Sequence, residues 1–313
     1  MNIEKILEIK NLSQHFKLDK NTVVKAVDDI TFEIYKGEIF GLVGESGSGK
    51  STLGRSIIKL YEPTNGEIIY KGNKISNKKT YKQQKKFLNK SMQIIFQDST
   101  SALNPRMTVG DIIAEPLKIQ GIYNNEEEKL NKVHQMLNLV GLDKSYIDRY
   151  PTEFSGGQRQ RIGIARALCI NPEFIIADEP IASLDVSIQA QIVNLFKKLQ
   201  KERDLTCLFI AHDLSMVRHI SDRIGVMYNG KLVELAEANE LYNNPIHPYT
   251  KSLLSAIPVP DPKYAKIRTK IRYNPSIHDY SEDKPKWIEI SSGHYVYASE
   301  NELYIYEQEL NIV

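Results

Sequence analysis

The chemistry of this chain is concentrated in a few short clusters. Gly44-Glu45-Ser46-Gly47-Ser48-Gly49-Lys50-Ser51-Thr52 contains the pattern G-x-x-x-x-G-K-[ST]. Its glycines let backbone N–H groups turn inward around phosphate oxygens, and a helix starting at its end adds partial positive charge. Lys50 would reach the β- and γ-phosphates of a nucleotide, and the Ser51 hydroxyl can ligate Mg²⁺.

Phe174-Ile175-Ile176-Ala177-Asp178-Glu179 is an apolar run that ends in two carboxylates. This arrangement delivers an acid to the metal of a phosphate-loop site: Asp178 would hold Mg²⁺, directly or through water. Glu179 would orient and deprotonate the attacking water, a general-base role. Alone the pair says little, since two acids also simply end a strand.

Positioning these residues requires a scaffold, and three continuous apolar runs supply its strands: Ile39 to Val43, Phe174 to Ala177 and Thr206 to Ala211. Continuous rather than alternating runs suit strands buried on both faces of a mainly parallel sheet. Helices are expected over Ser51 to Leu60, Glu127 to Val140 and Ser187 to Leu199. Strand and helix thus alternate, the pattern of an α/β fold. Asn229-Gly230 predicts a tight hairpin within Arg223 to Val233, and Ser291-Ser292-Gly293 predicts a smaller one.

Prolines 245, 248, 258, 260 and 262 place a domain boundary near residue 241. Residues 71 to 90 hold eight lysines and no acid, readable as a solvated loop and helix face or as an attraction to anionic lipid headgroups. The stretch from 276 to 313 is acidic yet rich in aromatics, with Trp287, Tyr295, Tyr297, Tyr304 and Tyr306, so it does not read as disorder.

The 313 residues are 41% hydrophobic and 26% charged, which excludes disordered, collagenous and coiled-coil classes. The net charge of +2 offers no basic excess for a nucleic-acid duplex. No apolar window reaches the roughly 18 residues that a membrane span needs, and charges interrupt the first residues, so the chain is expected to be cytoplasmic. Cys169 and Cys207 each lie in an apolar stretch and can build neither a disulfide framework nor a four-thiolate metal site.

Phe154-Ser155-Gly156-Gly157-Gln158-Arg159-Gln160-Arg161 stands 21 residues before Asp178, counted from Gly157. With it the chain resembles the ATP-binding cassette (ABC) ATPases, whose signature is close to L-S-G-G-Q; Phe154 replaces the leucine. The resemblance implies that Ser155, Gly156, Gly157 and Gln158, at a helix start, hold the γ-phosphate of a nucleotide bound to another subunit. It further implies that Gln97 links the metal site to a helical subdomain touching a transmembrane partner. Ser183-Leu184-Asp185 would cross a dimer interface, His212 would contact the γ-phosphate, and Phe16 would stack on adenine. An aromatic ending an N-terminal strand is more often a core residue.

Two further segments resemble the oligopeptide and dipeptide importer ATPases: Gln97 to Gly110, and Asn244-Pro245-Ile246-His247-Pro248-Tyr249 with the residues that follow. Ile290 to Val296 resembles the F-type subunit, the second ATPase of such importers. The resemblance implies a P-loop NTPase with a RecA-like core and mainly parallel sheet, an antiparallel β subdomain, a helical signature subdomain over about 98–165, and a small C-terminal extension. The ATPase domain would cover 1–240 and the extension 241–313.

Implied partners are a second related ATPase, two transmembrane permeases and, through them, an extracellular peptide-binding protein, with the chain peripheral at the cytoplasmic face of the membrane. Implied ligands are ATP and Mg²⁺. Alternative readings are the ATPase of a nickel or metal-chelate importer, or a soluble cassette acting on ribosomes or DNA. Against the latter stand a single cassette and only 128 positions between Lys50 and Asp178.

Overall fold

The computed structural model describes residues 4–182, 184–257 and 270–310, apart from the side chains of residues 99 and 100. β1 (Lys5–Lys17), β2 (Val23–Tyr35), β4 (Asn65–Tyr70) and β5 (Asn73–Lys74) form an antiparallel sheet in the order β2-β1-β4-β5. A second sheet of eight strands contains β3 (Ile39–Val43), β6 (Met92–Ile95), β7 (Phe174–Asp178) and β8 (Thr206–Ala211). It also contains β9 (Arg223–Tyr228), β10 (Lys231–Glu237), β11 (Lys286–Ser291) and β12 (His294–Ala298), and its order is β11-β12-β10-β9-β3-β8-β7-β6. From β9 to β6 every pairing is parallel.

The continuous apolar runs have a direct cause. Phe40, Leu42, Ile176 and Ile210 face a core shared with the first sheet, while Ile39, Val43, Ile175, Ala177 and Phe209 face a helical layer. Neither face of the parallel strands meets water, so neither alternates with polar residues. Helix α1 (Lys50–Ile57) lies in the first of these cores, burying Leu53 and Ile57. It approaches the sheet on Gly54, where a Cβ would stand 3.0 Å from Ile176 and 3.1 Å from Ile210.

The lysine-rich segment forms α2 (Lys78–Ser91), which buries Leu88 and leaves most of its lysines exposed. After a short α3 (Ser99–Ala102), α4 (Val109–Gln120), α5 (Glu126–Leu139) and α6 (Gly156–Leu168) pack on one another through Ile113, Leu117, Val133, Leu137 and Ile162. The Asn125 side chain caps α5, and Glu126 to Glu128 complement its dipole. Beyond β7, α7 (Val186–Arg203) and α8 (Leu214–Ile220) flank β8.

Helix ends depart from expectation by three or four residues in α1 and α7. α1 stops at Ile57 rather than at residue 60 because Lys59 takes a left-handed conformation, φ 63°. α7 runs to Arg203, past the expected Leu199, and ends where Asp204 is left-handed, φ 50°. The Asn229-Gly230 turn joins β9 to β10 with φ of 44° and 79°, the two positive values such a hairpin needs.

Near residue 241 the chain is helical, as α9 (Ala238–Asn243), followed by α10 (Pro248–Ser255). The hairpin around residues 291–293 is present as β11 and β12, and it extends the main sheet through Glu234↔Val296 and Leu235↔Tyr295. The final helix α11 (Glu300–Leu310) brings Tyr306 against Ile246, Val296 and Ala298. Residues 258–269, which include Pro258, Pro260 and Pro262, lie outside the described residues. Among the described residues no helix is long and apolar enough to cross a membrane.

Candidate functional site

The loop from Gly44 to Gly49 joins β3 to α1, and glycine is required there for two reasons. Gly44, Gly47 and Gly49 have φ of 154°, 82° and 105°. In addition, a Cβ on Gly44 would lie 2.1 Å from the Met227 carbonyl oxygen, and one on Gly49 would lie 2.0 Å from that of Ala26. The loop is therefore wedged between β2 and β9 with no room for a side chain at these points. Two hydrogen bonds fix it from outside: Gly230 N–H donates to the Ser48 carbonyl (2.9 Å) and Glu45 N–H donates to Tyr249 Oη (2.9 Å). α1 begins at Gly49 with no side-chain cap and no acid in its first turn, so an anion is the natural partner of its first N–H groups.

The Lys50 ammonium is buried and donates to the carbonyls of Gly44 (2.8 Å) and Glu45 (2.9 Å) and to Ser48 Oγ (3.3 Å). Burial lowers its pKa, and the carboxylates of Glu179, Asp178 and Glu45 oppose the shift. Ser51 Oγ donates to Asp178 Oδ1 at 2.7 Å, and Arg55 Nη2 stands 3.5 Å from Asp178 Oδ2. Asp178 is 1% exposed. Burial raises its pKa against the opposing pull of Ser51 and Arg55. Its Oδ2 is a buried oxygen with no hydrogen-bond donor. A hydroxyl, an orphaned carboxylate oxygen and nearby Gln97 make a hard-oxygen donor set, so the residues present fit Mg²⁺.

Gln97 follows β6 and Glu179 follows β7, and these neighbouring parallel strands deliver both side chains to one point. Gln97 Nε2 donates to Glu179 Oε2 at 2.7 Å, and His212 Nδ1, from the end of β8, lies 3.6 Å from the same oxygen. Glu179 is left-handed, φ 47°, with its N–H donating to the Ile210 carbonyl at 3.1 Å. A non-glycine residue held there stores strain of about 1–3 kcal/mol, of the kind that collects at functional sites.

Ser155 and Gln158 cap α6 reciprocally: Ser155 Oγ accepts from Gln158 N–H (3.3 Å) and Gln158 Oε1 accepts from Ser155 N–H (3.0 Å). Ser155 is exposed, Gly156 and Gly157 are partly so, and a Cβ on Gly157 would lie 3.3 Å from Leu184. Exposed Asp185 starts α7, and Ser183 lies outside the described residues. Among the described residues no hydrogen bond joins 155–158 or Asp185 to the loop at 44–52. Phe16, half-buried near the end of β1, meets Tyr61 edge to face at 5.3 Å.

The fold thus gathers Lys50, Ser51, Asp178, Glu179, Gln97 and His212, and among the described residues no hydrogen bond ties Ser155 to Gln158 or Asp185 to the P-loop. Reasoning from sequence missed Arg55, the Gly230 contact and above all Tyr249. The last was visible within His247-Pro248-Tyr249, but no local pattern points it 204 positions back to Glu45.

The ABC transporter family profile matches residues 27–182, and the profile of the oligopeptide/dipeptide transporter C-terminal region matches residues 233–285. The chain is 61% identical to the oligopeptide transport ATP-binding protein OppF of Bacillus subtilis over 96% of this chain and 98% of that protein. It is 54% identical to the oligopeptide transport ATP-binding protein AmiF of Streptococcus pneumoniae, over 98% and 99% of the two chains. Among solved structures it is similar to a dimeric ATP-binding cassette in a post-hydrolysis state bound to ADP and phosphate, with a TM-score of 0.68. That match has 28% identity and covers 74% of this chain and 98% of the other. A P-loop walled by β2 and β9, the convergence of Ser51, Asp178, Gln97 and Glu179 beside it, and these likenesses lead to one statement: the chain belongs to the ATP-binding subunits of the ABC transporter family.

Proposed function

We propose that this chain is the ATP-hydrolysing subunit that energises a membrane importer of oligopeptides. The observation that carries the reading is the meeting of Ser51 with Asp178 (2.7 Å) and of Gln97 with Glu179 (2.7 Å) beside the buried Lys50. In this reading the loop amides from Ser46 to Gly49 and the start of α1 hold the phosphates, with Lys50 keeping its Gly44 carbonyl anchor and exchanging its Glu45 carbonyl and Ser48 Oγ contacts for β- and γ-phosphate oxygens. Ser51, Asp178 and Gln97 would hold Mg²⁺, which supplies charge neutralisation at the phosphate oxygens. Glu179 orients the attacking water and takes its proton, with Gln97 and His212 fixing the carboxylate. Thr52 extends the phosphate contacts along α1, and Phe16 offers its ring to adenine.

The exposure of Ser155, Gly156 and Gly157, without a bond to their own P-loop, supports a head-to-tail pair in which Gln158, Asp185 and this helix start complete the site of a second, related ATPase. The match of residues 233–285 and the names of the two relatives support peptide as cargo. Two permeases, and through them an extracellular peptide-binding protein, complete the assembly, with this subunit peripheral at the cytoplasmic face.

The test is a pull-down of tagged Glu179→Gln chain from detergent-solubilised membranes with ATP, read by mass spectrometry. Two permeases and a related ATPase are expected. Ribosomes or DNA-bound proteins without a permease overturn the transport reading and leave the ATPase intact.

A further inference from the structure

We propose that Tyr249, in the C-terminal extension, is a positioning residue for ATP hydrolysis that holds the P-loop in its nucleotide-binding form through the Gly44–Glu45 peptide. Tyr249 is 1% exposed and its Oη accepts the Glu45 N–H at 2.9 Å. The same peptide unit contributes the Gly44 carbonyl, which accepts from Lys50 Nζ at 2.8 Å. In a planar trans peptide the N–H and C=O point in opposite directions. This one unit is therefore clamped between the extension on one side and the phosphate-binding lysine on the other. Without the Oη contact the peptide is free to rotate, and the anchor of Lys50 rotates with it.

The extension is built to hold that hydroxyl still. Glu234 on β10 is fully buried, and its carboxylate accepts from Ile246 N–H (2.7 Å), His247 N–H (3.0 Å) and His294 Nε2 (2.8 Å). One carboxylate thus ties the strand of the core to the segment entering α10 and to β12. The His247 ring then caps α10, its Nδ1 accepting the Tyr249 N–H at 3.1 Å, and Pro248 occupies the first helical position. The Tyr249 ring packs on Tyr228, at 4.5 Å between centroids, and Tyr273, at 5.3 Å. Tyr228 directly precedes the Asn229-Gly230 turn, whose Gly230 N–H donates to the Ser48 carbonyl. The two outside grips on the P-loop are therefore in contact with each other. His247, Pro248 and Tyr249 have distinct tasks in one device: cap, start and reach.

The experiment is Tyr249→Phe in the full chain, which keeps the ring and removes the acceptor. Losing one buried hydrogen bond to the loop is expected to raise the KM for ATP about 5–10-fold with kcat within about twofold, since Glu179 is untouched. Binding of a fluorescent ATP analogue should weaken by the same factor. Glu45→Pro deletes the donor, so Tyr249→Phe added to Glu45→Pro should have no further effect on KM. Unchanged KM and analogue affinity in Tyr249→Phe overturn the proposal, as does a full additional loss in the Glu45→Pro background. If Glu45→Pro does not fold, the analogue titration of Tyr249→Phe decides alone. The inference rests on the P-loop binding ATP: a wild-type chain that binds none sinks that reading, whereas normal binding by both wild type and Tyr249→Phe sinks only the role of Tyr249.

Discussion

The Ser51 hydroxyl donates to Asp178 Oδ1 over 2.7 Å, joining the first turn of α1 to the end of β7 across 127 positions of sequence. That bond opposes the burial that pushes the Asp178 pKa up. Ser51→Ala removes a hydrogen bond that stabilises the carboxylate and, on the proposed reading, a ligand of Mg²⁺. Hydrogen bonds to charged groups contribute about 1.5–3 kcal/mol, so the Mg²⁺ concentration for half-maximal hydrolysis should rise at least ~10-fold. A Mg²⁺ titration at saturating ATP checks this; an unchanged midpoint removes Ser51 from the metal site.

Glu179→Gln keeps the size and the Gln97 contact site but cannot accept a proton. It should lower kcat by about 10²–10⁴-fold while ATP affinity stays within a small factor of wild type. Single-turnover hydrolysis set beside nucleotide binding separates the two effects. Near-normal turnover would assign the base elsewhere.

The P-loop glycines predict unequal costs for the same substitution. At Gly47, φ is 82° and no atom lies within 4 Å of an added Cβ, so Gly47→Ala should cost only the backbone strain, about 1–2 kcal/mol. Gly49→Ala adds to a φ of 105° a clash at 2.0 Å with the Ala26 carbonyl, which is backbone and cannot swing aside. It should destabilise the chain by more than ~3 kcal/mol and abolish ATP binding. Equal melting temperatures for the two variants would contradict the wedging of the loop between β2 and β9.

Burial pushes the His247 pKa down to about 3, with His278 and Lys251 nearby adding to the effect, so the ring is held neutral and its Nδ1 remains an acceptor. In the unfolded chain the same ring binds a proton near pH 6.5. Between these values the unfolded state carries more protons than the folded one. The stability from neutral His247 is thus fully present above pH 6.5 and is lost as pH falls towards 3. His247→Asn keeps a capping acceptor and cannot titrate, so its stability should fall less between pH 6.5 and 5, above the range where most carboxylates protonate. Thermal melts of both chains across that window decide it, parallel curves being the contrary result.

The parts legible in the sequence are those that nearby residues enforce on one another. The pattern from Gly44 to Ser51 needs only adjacent sterics and a helix start. The apolar runs at 39–43 and 206–211 carry their two-sided burial in their composition, and Asn229-Gly230 carries its positive φ values. Helix ends were less legible, because left-handed Lys59 and Asp204, neither of them a usual breaker, terminate α1 and α7. Only the tertiary structure decided that Gln97 and Glu179 share one hydrogen bond, that 286–298 continues the main sheet, and that Ser155 is left exposed at the start of α6. It alone brought Tyr249 to Glu45. Such contacts join residues tens to hundreds of positions apart through strand order and helix packing. They leave no periodicity in the chain, because the energy that fixes them comes from cores assembled from all of its segments at once.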